Sequence, residues 1–408
     1  MKKIVLLLLS ALPFLSIPSH AQEIQDDSLR YSVSGKVTDS RNGSAIQFVN
    51  VYMEGRHHAT VTNADGEFTL KSDIPIRRIL FSHLGYESAS VSPGTGPLRV
   101  KLIPMSTMLD PAIAISAEPW RLIREAVRRI PDNYVSENES LKCFYRETLQ
   151  KRQRYVYISE AVATLYKTSY SHGNSRDGAQ LEKSRVLLSQ QKRDTLSVKF
   201  LGGPMQAIDF DLLKNTRLLL DESELELYNL SMGSPVSIND RLNLTVKLSP
   251  GKEVDYPLYY GTIYIDAATY AFTRIELSLD MSNEVKATRD MLVRKPAGLR
   301  FHPKELSVVV DYRMDGDKWR IGFLRSLLRF SCDWRKRLLS TNYTSVNELV
   351  VTDKYPEASP IPRERRFRST DALSEKAELF TDPDFWKDYN IIEPSVSLEH
   401  AVGRLIKK

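Results

Sequence analysis

The stretch TNADGEFTL (62–70) brings an amide, two carboxylates and a glycine close together, a composition that suits three kinds of site. An EF-hand calcium loop needs an Asp five residues before its glycine, but Val61 occupies that position relative to Gly66. A phosphate-binding loop needs a following Lys and the start of a helix, and neither follows here. The pattern therefore favours a hairpin corner, in which Asn63 and Asp65 bond the local backbone and Gly66 takes a positive φ.

Residues that act as nucleophiles or bind metals are scattered along the chain. The sequence contains 7 histidines, none of them in an H-E-x-x-H arrangement, and it has no G-x-S-x-G motif. Closely spaced acidic pairs at Asp209/Asp211 and Asp382/Asp384 are typical of solvated turns. We therefore predict no catalytic residue, no metal site and no cofactor.

The most marked charge feature is a basic stretch with interleaved aromatic residues at 318–337. We expect most of it to lie on the solvated outer face of a sheet. Contact with an anionic lipid or lipopolysaccharide surface is the alternative. The formal net charge of +6 over 408 residues is too small to indicate nucleic-acid binding. The side chains assigned to a surface or lipid contact are Lys318, Arg320, Arg325, Arg329 and Arg335.

The N-terminus has the pattern of a secretory signal peptide. Lys2 and Lys3 precede an apolar run that begins at Ile4, and Ala21 supplies a small residue for cleavage. The run is shorter than the ~20 residues of a membrane span and contains a proline. We expect residues 1–21 to be removed and the mature chain to be exported.

The chain contains 2 cysteines, Cys143 and Cys332, both in strand-like segments. Export permits a disulfide between them. Two buried thiols are the favoured alternative, because cysteine is among the most buried residue types.

Hydrophobic periodicity divides the chain into a small and a large β region. Short strand-like segments at about 8–12-residue spacing are typical of a β-sandwich. An amphipathic helix around Trp120–Ile130 precedes a longer run of alternating strands. The predicted fold is mainly β: an N-terminal Greek-key β-sandwich, then a large antiparallel sheet, open or half-barrel in shape, with a few helices. The predicted segments are a signal peptide (1–21), a sandwich (31–103), a linker (104–117), a sheet domain with an N-terminal helix (118–360) and a C-terminal extension packed on the body (361–408).

The first β region resembles the carboxypeptidase regulatory-like domain in the segments GKVTD, NGSAIQFVNVYMEG, ATVTNADGEFTL and ILFSHLGYE. The resemblance implies a transthyretin-like β-sandwich without a catalytic centre, as found in Gram-negative envelope proteins. The matching positions are Gly35, Val37, Asp39, Gly43, Gly55, Thr60, Thr62, Gly66, Phe68, Gly85 and Tyr86. We expect Gly35, Gly43, Gly66 and Gly85 to form structural turns, together with Asp65.

The region 118–408 resembles Gram-negative envelope proteins that carry the same N-terminal domain, in text such as FYRETLQKRQRYVYISEAVATLYKT and DPDFWKDYNIIEP. That group implies no particular activity. The hairpin YGTIYID–AFTRIELSL is similar to the central hairpins of outer-membrane lipoprotein carriers. Such carriers are open half-barrels whose apolar concave face is lidded by helices.

Three functions follow, in order of preference. The first is a non-catalytic protein of the periplasm or outer membrane that binds or scaffolds a partner. The second is a carrier that holds a lipid or a lipoprotein acyl chain in a half-barrel, which requires a continuous apolar cavity. The third is a hydrolase. The expected partner is an envelope protein or an apolar ligand, with peripheral contact to the outer membrane and no nucleic acid.

Overall fold

A computed structural model describes residues 29–105, 118–191, 203–291, 298–334, 340–368, 371–379 and 385–406. The predicted signal peptide, most of the predicted linker and Arg335 lie outside the described residues. Within these ranges, no helix has the length and hydropathy needed to cross a membrane.

The N-terminal unit is a β-sandwich, as predicted. Its two sheets have the orders β4-β1-β7 and β3-β2-β5-β6, with β1 and β7 parallel. Alternating apolar side chains fill the space between the sheets, where the rings of Phe68 and Phe81 meet edge to face at 5.3 Å. The strands are β1 (Tyr31–Asp39), β2 (Asn50–Met53), β3 (Ala59–Val61), β4 (Glu67–Ser72), β5 (Ile79–Ser82), β6 (Ala89–Val91) and β7 (Leu98–Leu102).

The second unit consists of long strands with a few short helices. Its strands are β8 (Glu139–Lys151), β9 (Arg154–Lys167), β10 (Gly178–Leu188), β11 (Tyr228–Met232), β12 (Val236–Ile238), β13 (Arg241–Pro250), β14 (Tyr259–Asp266), β15 (Phe272–Leu279), β16 (Leu299–Asp315), β17 (Lys318–Trp334), β18 (Thr341–Lys354) and β19 (Glu378–Leu379). Its helices are α1 (Pro119–Arg128), α2 (Ile130–Asn133), α3 (Gln206–Asp209), α4 (Glu222–Leu225), α5 (Glu284–Met291), α6 (Leu373–Lys376) and α7 (Val396–Ile406).

These strands form one large sheet with the order β11-β13-β14-β15-β16-β17-β18-β8-β9-β10-β19, and β12 pairs with β13 beside β11. All neighbours are antiparallel except β10 and β19. Among the described strands, the end strands β11 and β19 do not pair with each other, so the sheet stays open. The predicted large antiparallel sheet is therefore confirmed.

One face of the sheet, here called the inner face, is filled. Helix α1 buries Leu122, Ile123 and Ala126 against it, while its arginines stay on the solvent side. The segment after residue 203 adds further buried leucines, including Leu212 and Leu219. The apolar side of the predicted amphipathic helix is thus used for packing.

Two sequence expectations are settled by local packing. Gly35 lies within β1 and does not form the expected turn. A β-carbon there would lie 2.5 Å from the carbonyl oxygen of Leu98 and 2.9 Å from the Phe68 ring, so close contact with β7 and β4 requires glycine. Cys143 and Cys332 are both buried thiols and form no disulfide, which confirms the favoured alternative.

Candidate binding groove on the outer face of the sheet

The sandwich lies on the opposite, outer face of the large sheet. Phe48 and Val61 pack with Phe323 and Val350 of that face in one buried cluster. The interface also includes a polar contact, in which the Ser88 amide donates a hydrogen bond to an Asp240 carboxylate oxygen at 3.0 Å. The sandwich therefore covers the strands near the centre of the sheet.

Two adjacent histidines of the sandwich meet carboxylates across this interface. His57 Nδ1 lies 2.5 Å from Asp315 Oδ2. His58 lies between Asp73 of its own domain, at 2.8 Å, and Asp353 at the end of β18, at 3.0 Å. Burial alone lowers the pKa of His58, but the hydrogen bonds and charges of Asp353 and Asp73 outweigh burial and raise it.

The outer face of β13, β14 and β15 carries an open groove of about 470 Å³. Alternation along the strands directs apolar side chains such as Ile263 and Ile275 to the inner face and polar ones outward. Tyr260 lines the groove and is 49% exposed. The lining residues are Ser231, Lys247, Leu248, Ser249, Tyr260, Gly261, Thr262, Glu276 and Ser278.

One wall of the groove is held by a network of charged side chains. Glu276 accepts a hydrogen bond from Arg274 Nε at 2.6 Å and one from the Tyr264 hydroxyl at 3.2 Å. Arg274 also lies 2.8 Å from Asp311, so its charge is shared between two carboxylates. Burial, together with the Arg274 charge, lowers the pKa of His83 to about 4, so the His83 side chain of the sandwich stays neutral near Arg274.

A second groove of about 420 Å³ lies at the loop that joins β13 and β14. Tyr256 lines it and is 43% exposed, and the Tyr256 hydroxyl donates to Glu224 of α4 at 3.2 Å. Leu258 of its lining belongs to the inner-face core, so this groove lies on the side of the segment that covers the inner face. The first groove, here called the outer-face track, is polar and has one exposed tyrosine, Tyr260.

A comparison with protein families matches residues 33–105 to the CarboxypepD_reg-like domain. Residues 33–105 form a CarboxypepD_reg-like domain. This regulatory-like domain therefore packs on the outer face of a much larger sheet. No curated protein matches the chain.

Solved structures of several bacterial proteins resemble the chain at low identity. A DUF1329 family protein from Desulfovibrio piger has 9% identity and a TM-score of 0.25, with 60% of this chain and 96% of that chain covered. The LolA superfamily protein NE2245 from Nitrosomonas europaea has 11% identity and a TM-score of 0.21, covering 62% and 99%. The MucA/MucB complex of Pseudomonas aeruginosa has 13% identity and a TM-score of 0.18, covering 60% and 100%.

The corner TNADGEFTL (62–70) joins the regulatory-like domain to the C-terminal helix α7. Asn63 accepts hydrogen bonds from the amides of Asp65 and Glu67, both at 2.9 Å, and Gly66 has a φ of 76°, as expected for a hairpin corner. The Asp65 side chain does not bond the local backbone as expected; its Oδ2 accepts a hydrogen bond from the Val396 amide, at the start of α7. Gly43 and Gly85 have φ values of 72° and 82°.

The basic stretch lies mostly on the outer face, but the regulatory-like domain covers part of it. Arg320 is only 4% exposed and pairs with Glu139 and Asp315, which corrects its assignment to a surface or lipid contact. Arg325 is partly covered, with its guanidinium 5.2 Å from the centre of the Phe48 ring. The two remaining side chains are Arg329, whose guanidinium pairs with Glu305, and Lys318, which donates to the Asp132 carbonyl.

Sequence reasoning missed a buried ionic cluster on the inner face. Lys167 Nζ lies 2.7 Å from Asp211 Oδ2, and Lys214 Nζ lies 2.7 Å from Asp177 Oδ1. The Tyr312 hydroxyl donates to the other Asp211 oxygen at 2.9 Å. Asp211 is fully buried, so the expectation of a solvated turn is wrong for this residue.

Sequence reasoning also did not single out Tyr260. Tyr260 lies two residues before Thr262 on the polar side of an alternating strand. This position was the available signal, because a large aromatic ring on the polar side is exposed.

Among the described residues, no three His, Cys, Asp or Glu side chains are grouped to hold a metal ion.

Proposed function

We propose that this chain is a non-catalytic binding protein of the periplasm or outer membrane that holds a partner in the outer-face track. The track, with the Tyr260 ring exposed among its hydroxyl groups, is the observation that carries the proposal. Ligand sites occur preferentially where domains meet, and the charge of Glu276 in the track acts on His83 of the regulatory-like domain. The export pattern at the N-terminus supports the location.

The filled inner face favours this function over the carriage of an acyl chain. A carrier needs an apolar cavity of several hundred Å³. The described inner face is instead packed with side chains from α1 and the segment after residue 203. The outer-face track is open but polar, which does not suit an acyl chain.

Site-specific photo-crosslinking in the native envelope tests the proposal. Benzoylphenylalanine replaces Thr262 in the groove, and in a matched control it replaces Tyr31, which is 43% exposed in β1. We expect a higher-mass adduct from position 262 and none of that mass from position 31. Recovery of only unmodified chain from position 262, at normal protein levels, would contradict binding in the groove.

A further inference from the structure

We infer that the ligand of the outer-face track is an oligosaccharide, an inference that rests on the function proposed above. The first argument is the chemistry of the lining. Hydroxyl groups of Ser231, Ser249, Thr262 and Ser278 face a groove that also holds the Tyr260 ring. Each hydroxyl can donate and accept a hydrogen bond, which matches the paired donors and acceptors of sugar hydroxyls.

The exposed tyrosine supplies the complementary apolar surface. A sugar ring has a face of C–H groups as well as an edge of hydroxyls, and an aromatic ring with a polar tip can contact both. Tyr260 is 49% exposed although it lies in a sheet strand whose inward neighbours are buried. A ring in this position is accessible to a ligand lying along the groove.

The charges of the track exclude other ligand classes. Lys247 is exposed and has no ion-pair partner among the described residues, whereas Glu276 is already paired with Arg274. A single uncompensated cation is too little for a polyanion such as nucleic acid, which requires many basic contacts. An acyl chain is excluded because the outward-facing lining offers one aromatic ring and is otherwise polar.

An extended peptide is also disfavoured by the geometry of the sheet. Peptides commonly bind by adding a strand to a sheet edge, which uses free backbone groups. Among the described strands that line the groove, β11 is at the sheet edge and contributes one residue, Ser231, whereas β13, β14 and β15 are paired on both sides. Recognition there depends on side-chain hydroxyls and a ring, as expected for a sugar.

The size of the track suits a short chain of sugars. Its volume of about 470 Å³ is within the usual range for a small ligand. Tyr260 provides an exposed ring beside the hydroxyl groups of the lining. The track would therefore take a short run of linked sugar units.

Calorimetric titration of the purified full chain tests this inference. The probes are glycan strands released from peptidoglycan by amidase, deacylated lipopolysaccharide core oligosaccharide, and an uncharged tetrapeptide as a negative control. We expect saturable binding of one saccharide, with Tyr260→Ala about tenfold weaker through loss of ring contacts. Tyr31→Ala, which removes an equally exposed ring away from the track, should bind as the unmodified chain does.

The outcomes separate the ligand class from the binding function. Binding of the peptidoglycan strands or of the core oligosaccharide identifies the source of the sugar. Equal binding by Tyr260→Ala, or binding of neither saccharide, overturns the oligosaccharide inference. If a protein adduct still forms at position 262 while neither saccharide binds, the binding function stands and only the ligand class is wrong. Absence of both adduct and saccharide binding overturns both.

Discussion

At the scale of single residues, the most unusual feature is the pairing of two lysines with two aspartates inside the core. Burial alone lowers the pKa of Lys167, but the charges of Asp211 and Asp177 outweigh burial and raise it. Lys214 shows the opposite result, since burial and the nearby Lys167 charge lower its pKa. Each charge is tolerated only because its partners are present, so the cluster fixes the segment around Asp211 onto the inner face.

We predict that Lys167→Met destabilises the fold strongly. The change leaves Asp211 and Asp177 in the core with one cation fewer, and removal of one partner from a buried ion pair costs about 3–5 kcal/mol. Urea unfolding followed by circular dichroism measures the loss. Lys252→Met is the matched control, because its pair with Glu226 at 3.7 Å is exposed and such pairs contribute about 0–1 kcal/mol. Similar losses in the two variants would contradict the role assigned to burial.

The partners in this cluster are not visible in the sequence. Lys167 ends a strand, and Asp211 follows a short helix 44 residues later, so no local period links them. Asp211 looks like a turn residue because its spacing from Asp209 resembles that of surface pairs. Arg320 was misassigned for the same reason, since its buried partner Glu139 lies on a strand far away in the chain. Long-range pairing therefore limits what residue types and spacing can predict.

At the scale of elements, the C-terminal segment connects the two domains. Trp386 Nε1 donates to Glu160 at 3.0 Å, and Arg146 Nη2 donates to the Ile392 carbonyl at 2.6 Å, both on the outer face of the sheet. Lys71 of the regulatory-like domain donates to the carbonyl of Trp386, also at 3.0 Å. Burial opposes ionisation of Glu160, but the charges of Arg146 and Arg185 outweigh it and lower the pKa. The segment thus bridges the sheet and the sandwich.

We predict that Trp386→Ala lowers the free energy of unfolding by about 3–5 kcal/mol, the usual cost of truncating a buried tryptophan. The ring is 5% exposed and packs against Phe144 and Phe385. Urea unfolding provides the measurement. Tyr256→Ala, which truncates an exposed ring in the loop between β13 and β14, should change stability little. A loss below about 1 kcal/mol for Trp386→Ala would show that the segment contributes little to the fold.

Local patterns predicted elements better than their arrangement. The hairpin β14–β15 followed from alternation on either side of a turn, because alternation and turn signals both act over a few residues. The pairing of β18 with β8 joins strands far apart in the chain, and alternation alone does not specify it. Gly35 shows a related limit, since a glycine needed for close strand contact looks the same in sequence as a turn glycine.

At the scale of the whole molecule, the interface between the domains contains a titratable contact. His58 is 8% exposed and lies between Asp73 and Asp353. A histidine whose folded-state pKa is raised stabilises the fold at pH values below its unfolded pKa. That stabilisation is lost as the pH rises through the folded pKa. Attachment of the regulatory-like domain to the sheet should therefore weaken from mildly acidic to mildly alkaline pH.

We predict that His58→Gln makes thermal stability less dependent on pH above 6.5, the ordinary pKa of histidine. The unmodified chain should lose part of its stability as His58 becomes neutral between two carboxylates, whereas the glutamine variant has no such charge to lose. Scanning calorimetry from pH 5.5 to 8.5 measures the difference. His83→Gln is the control, because the pKa of about 4 keeps His83 neutral throughout this range. Identical pH profiles for His58→Gln and the unmodified chain would remove His58 as the source of the effect and place it in the other ion pairs of the interface.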